Sequence, residues 1–134
     1  MSHLLDTNAC IRLINRFPGV IADRLRAHGP QDVRLSAITK AELFYGARHS
    51  KRVRENVQLV AAFCTPYQCL PFDDICAEHY GLIRADLVSR GENVQPMDLL
   101  IAATARAHDL VLVTHNLRDF APIVGLRLED WEVE

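Results

Sequence analysis

Four carboxylates, Asp6, Glu42, Asp98 and Asp119, stand where strand-like segments give way to helix-like ones. Asp6 ends a short apolar run, Leu4-Leu5, and Thr7-Asn8 follow it at once. A carboxylate is poor strand material and a poor core residue. Held at the carboxyl end of a buried strand, it can instead bind a hard cation. Three or four such groups, with a few hydroxyls or amides, suit Mg2+, which takes oxygen ligands in near-octahedral geometry. A bound divalent ion supplies what phosphodiester hydrolysis needs, an activated hydroxide and a counter-charge for the phosphoryl group. Crowded carboxylates repel one another, so an acidic cluster of this kind calls for a cation.

Each acid also has a plain structural role open to it. Asp6, in Asp-Thr-Asn, could cap the helix that follows. Glu42 could be the capping-box partner of Thr39. Asp98, just after Pro96, could be there because the helix macrodipole favours it. Asp119 could be a solvated helix residue. Asp73 and Asp74 are expected simply to begin a helix. The four site acids argue as a set of junction positions, not singly.

The elements that must position them alternate between strand-like and helix-like, the pattern of an α/β fold with a mostly parallel sheet. Strands are expected at His3–Leu5, at Val33–Ser36, at 67–70, at 110–113 and, along an edge, at 126–128. Apolar spacing places helices over 8–15, from Pro18 to a stop at Gly29-Pro30, and over 39–48, 52–63, 73–89 and 97–107. Ligands of open α/β sheets bind beyond the carboxyl ends of the strands. Asp6 falls at such an end, and so do Thr114, Asn116 and Asp119. Glu42 and Asp98 fall in first turns of helices.

Bulk properties narrow the field. A chain of 134 residues is expected to form one domain, spanning 1–134. The net charge of −2 argues against a nonspecific nucleic-acid coat, which would be basic. Cys10, Cys64, Cys69 and Cys76 include no C-x-x-C pair, which argues against a zinc site and leaves reduced core residues as the expectation. Apolar stretches fall far short of the ~20 residues of a membrane span, so a cytoplasmic protein is expected.

Four motifs in order resemble the PIN-domain ribonucleases, and specifically the VapC toxins of bacterial toxin–antitoxin pairs. His3-Leu-Leu-Asp-Thr-Asn8 is similar to that family's first strand end. Leu35-Ser-Ala-Ile-Thr-Lys-Ala-Glu-Leu-Phe-Tyr-Gly46 resembles its S-x-x-T-x-x-E-L-x-x-G motif. Pro96-Met-Asp-Leu-Leu-Ile-Ala-Ala-Thr-Ala105 is similar to its D-x-x-I-A-A helix. Leu112-Val-Thr-His-Asn-Leu-Arg-Asp-Phe120 resembles its V-T-x-N-x-x-[DE]-F segment.

The resemblance implies a three-layer α/β/α domain with a central, mostly parallel sheet. It implies a metal-dependent endoribonuclease toxin that cleaves structured RNA, tRNA above all. Mg2+, or Mn2+, would be held by Asp6, Glu42 and Asp98, with Asp119 above Asn116 as the fourth acid. Many relatives have Asp at the position of Asn116, and an amide brings no negative charge. Thr7, Asn8, Thr114 and Asn116 would be supporting residues. A cognate antitoxin of the VapB type would neutralise the toxin, and the toxin would be a homodimer. Arg12, Arg16, Arg48, Lys51 and Arg52 are candidates for contacts with RNA phosphates, or else solvated helix residues. His115 is a loop residue close to the site. The face of the 39–48 helix carrying Leu43, Phe44 and Ala47 is either core or part of an antitoxin groove. The alternative reading is a catalytically silent PIN-like module that binds RNA or protein. A phosphoryl-transfer receiver is disfavoured, because Thr7-Asn8 rather than an Asp-x-Asp motif follows the first strand.

Overall fold

Leu4 and Leu5 point to opposite faces of one strand, and that alternation divides the whole core. The computed structural model describes residues 2–15 and 19–133. Strand β1 (His3–Leu5) pairs in parallel with β2 (Val33–Ser36) on one side and β4 (Val111–Val113) on the other. Strand β3 (Gln68–Leu70) extends the sheet beyond β2, and β5 (Leu128–Glu129) extends it beyond β4. The order is β3-β2-β1-β4-β5, and all four pairings are parallel, which sharpens the expectation of a mostly parallel sheet.

Both faces of the sheet are covered, as a parallel sheet requires. Leu4 and Leu112 pack with Ile83 and Leu87 of α5 (Asp74–Ser89), Leu99 and Ile101 of α6 (Pro96–Ala107), and Phe120 of α7 (Leu117–Phe120). Leu5 and Val113 pack on the other face with α1 (Thr7–Ile14), α2 (Val20–Ala27), α3 (Ala37–Arg48) and α4 (Val53–Cys64), joined by the buried Trp131. The three-layer α/β/α arrangement is therefore set by period-2 alternation in short apolar strands. Leu43 and Ala47 are core residues of α3, while Tyr45 is 68% exposed. Cys10, Cys64 and Cys76 are buried and all four cysteines are free. No helix among the described residues is long and apolar enough to cross a membrane.

Element boundaries follow capping chemistry. Asp6 Oδ1 accepts the Ala9 N–H at 2.8 Å and caps α1. Asp73 caps α5 in the same way. Pro96 opens α6 as its first residue, with the Gln95 side chain accepting from the Asp98 N–H at 3.0 Å. Helix α5 ends before Gly91, whose φ of +69° is the left-handed conformation that glycine adopts without strain. The second helix begins at Val20; its expected opening residue, Pro18, lies outside the described residues, as do Arg16 and Phe17.

The Thr39–Glu42 capping box does not form. Helix α3 starts at Ala37, and Ser36 Oγ accepts the Thr39 N–H at 3.0 Å. Thr39 is then inside the first turn, fully buried, and Glu42 lies a turn further on with no cap to make. Replacing Ser36 with Ala should cost about 1 kcal/mol of stability, the usual worth of an N-cap. Urea unfolding of the variant checks it, and a wild-type midpoint would return the cap to Thr39.

Candidate active site

The strand order reverses direction between β1 and β4, and such a switch leaves a crevice beyond the carboxyl ends of the two strands. The register Leu5↔Val113 puts Asp6 beside Thr114 there. The Asp6 N–H still bonds Val113 O at 3.0 Å, so the carboxylate begins where the sheet stops. Asp6 is only 3% exposed.

Burial pushes the Asp6 carboxyl above its ordinary range. The Thr114 hydroxyl and the Ala9 N–H oppose that shift by stabilising the charged form, while the charges of Glu132 and Glu42 add to it. Thr114 is itself fully buried and accepts the Asn116 N–H at 3.0 Å, which fixes the turn after β4.

Glu42 reaches the same place from α3. Thr7 Oγ1 lies 2.5 Å from Glu42 Oε1 and 3.2 Å from Thr39 Oγ1. A hydroxyl has one proton to give. The short contact has the length of a charge-assisted bond, so Thr7 donates to Glu42 and accepts from Thr39. One residue after Asp6 thus orients the second carboxylate.

Asp98, half-buried in the first turn of α6, has its carboxyl raised to about 6. Burial is the largest cause, followed by the charges of Asp6, Glu42 and Asp119. The other three acids expected from the sequence therefore all act on the Asp98 carboxyl. Asp119 lies exposed in α7. No three of the four acids have oxygens all within 4.8 Å of one another; the groups that do, among the described residues, are Asp73, Cys76 and His108, and His115, Asp130 and Glu132. An all-oxygen set spaced in this way suits an ion that keeps several of its own waters.

Other expected residues are placed differently. Asn8 is exposed, and the bond holding the Asp6 turn comes from Ala9 instead. Arg12 Nε pairs with Glu132 Oε1 at 2.7 Å. Arg48, Lys51 and Arg52 are exposed around the turn from α3 to α4. His115 Nδ1 sits 2.9 Å from Asp130 Oδ2. Glu132, whose charge reaches Asp6, was not signalled by the sequence. It follows the shortest strand and a buried Trp131, and only the fold brings that segment back to β1. A groove of about 260 Å³ runs from Glu42 between α1, α3 and α4, lined by Ile11, Leu43 and Leu59 among others.

Residues 3–124 match the family model of the PIN domain. The chain is 40% identical over 131 residues to the tRNA(fMet)-specific endonuclease VapC of Salmonella typhimurium, and 37% identical over 131 residues to the protein of the same name from Shigella flexneri. In both cases the match covers 98% of each chain. The crystal structure of DNA-bound VapBC from Salmonella typhimurium superposes with a TM-score of 0.93 at 40% identity, covering 98% of both chains. The chain belongs to the PIN-domain family, in its VapC branch.

The raised Asp98 carboxyl has a sign that can be checked in metal-free protein. Its folded value lies above the ordinary 3.8, so the native state holds this proton longer than the unfolded chain does. Stability conferred below pH 4 is therefore lost as pH rises toward 6. Asp98→Asn should remove that loss and be more stable than wild type above pH 6, by about 1–3 kcal/mol. The two proteins should converge below pH 4. Thermal melts in EDTA across this range measure the difference.

Proposed function

We propose that this chain is a divalent-metal-dependent endoribonuclease toxin that cleaves tRNA and is silenced by a cognate antitoxin of the VapB type. The observation that carries the reading is the raised Asp98 carboxyl, on which Asp6, Glu42 and Asp119 all act. The donor set is all oxygen and carries net negative charge, which fits Mg2+, or Mn2+, and not a soft metal. Asp6, Glu42, Asp98 and Asp119 would hold the ion. When bound, it supplies an activated water and a counter-charge for the phosphoryl oxygens.

The chain's own residues prepare that chemistry. Thr114 and the Ala9 N–H favour the charged form of Asp6 against its burial, and Thr7 aims Glu42 into the crevice. The charge of Asp119 on Asp98 favours it over Asn116 as the fourth acid. Arg48 and Lys51 remain available for RNA phosphates, whereas Arg52 lies 3.6 Å from the Glu55 carboxylate. Arg12 is better read as holding the C-terminal segment through Glu132.

The groove running from Glu42 is the natural seat for an apolar antitoxin helix, from which an Arg could reach the carboxylates. The VapBC structures that this chain resembles support a bound partner of this kind. A single domain, homodimeric assembly and a cytoplasmic setting complete the proposal; analytical ultracentrifugation tests the dimer.

Cleavage of purified tRNA, beginning with the tRNA(fMet) named for the relatives, should require Mg2+ or Mn2+ and stop in EDTA. Asp6→Asn and Asp98→Asn should each lower the rate by about 100-fold or more while leaving the protein folded, since several kcal/mol of charge stabilisation is lost. Near wild-type cutting by both variants would sink the assignment. RNA binding without cleavage at any metal concentration would favour the silent module. Comparing Asp119→Ala with Asn116→Ala by metal titration should show the larger loss of affinity in Asp119→Ala.

A further inference from the structure

At the end of α6 far from Asp98, three side chains from two helices meet. Asp73 caps α5 with Oδ1, which accepts the Cys76 N–H at 3.1 Å. Its Oδ2 is left facing His108 Nε2 at 3.7 Å. Cys76 is fully buried. Its Sγ, an imidazole nitrogen of His108 and a carboxylate oxygen of Asp73 all lie within 4.8 Å of one another.

The helix cap and a thiol contact hold Asp73 against Cys76, but hydrogen bonding does not account for the approach of His108. His108 Nε2 is a buried atom with no hydrogen-bond partner, and 3.7 Å is too long to be one. The Cys76 bond to Pro71 O is long, at 3.9 Å. Two ligands of one tetrahedral ion, by contrast, stand roughly 3.3–3.6 Å apart for bonds of about 2.0–2.3 Å. The donors are also complementary in charge. A carboxylate and a thiolate balance a doubly charged ion, and a neutral imidazole completes three ligands.

We propose that Asp73, Cys76 and His108 form a zinc-type metal site, with water in the fourth position, that fastens the start of α5 to the end of α6. Thiolate and imidazole select zinc-like ions over Mg2+. Burial raises the free Cys76 thiol, so metal binding must displace its proton, which leaves to solvent. The site is separate from the acidic centre: His108 follows Asp98 along one helix by about 15 Å of rise. The other compact group, His115, Asp130 and Glu132, is less suited, because the Arg12 guanidinium on Glu132 repels a cation. The absence of a C-x-x-C pair could not reveal this site, since its single cysteine draws its partners from a helix cap and from a second helix.

The test uses the full chain, stripped of metal and titrated with Co2+. A thiolate-to-Co2+ charge-transfer band should saturate at one ion per chain and be bleached by Zn2+. It should persist in Asp98→Asn, which touches only the acidic centre, and vanish in Cys76→Ser and in His108→Ala. Zn2+ should raise the Tm of the wild type and leave that of His108→Ala unmoved. Absence of the band in the wild type overturns the proposal, and so does a band that survives in His108→Ala. The wild-type titration decides alone if a variant fails to fold.

Discussion

The burial of Asp6 is the constraint on which the site depends. Its backbone is still tied to Val113 in the central pairing of the sheet, which fixes where its carboxylate begins. A buried charge must be answered locally. Part of the answer is built in, through Ala9 and Thr114. The rest of the neighbourhood works against it, because Glu42, Asp98 and Glu132 add charge of the same sign. The fold keeps this group in place at the switch between β1 and β4, with charges of one sign held close to it.

The second acid shows how small a shift in a helix start changes a residue's role. Had α3 begun at Thr39, Glu42 would have turned back to its own helix. Because Ser36 takes the cap, Thr39 is drawn inward and Glu42 is free to meet Thr7. Local structure and site geometry are therefore one problem here: a hydroxyl at the end of β2 releases a carboxylate in the following helix.

Much of the fold was legible because its signals are local. The apolar pairs of β1 and β4, Pro96 at the head of α6 and Asp73 at the head of α5 each announce an element through its own residues. The acids were legible as strand–helix junctions. What escaped depends on contacts distant in sequence. The apolar pattern points to an edge strand at 126–128, whereas the strand forms at Leu128–Glu129, where two residues pair with β4. Glu132, Asp130 and the pairing of Arg12 owe their positions to a C-terminal segment pinned by Trp131, which no short pattern encodes. The Asp73, Cys76 and His108 group was invisible for the same reason, being assembled only when α5 packs on α6.

The sheet order also governs when activity can arise during synthesis. Strand β1 leaves the ribosome first, yet it is the middle of the finished sheet, and its neighbour β4 is translated near the end. A nascent chain therefore carries Asp6 through most of its production without a completed crevice around it. The crevice beside Asp6 is closed only after β4 has been made and paired with β1.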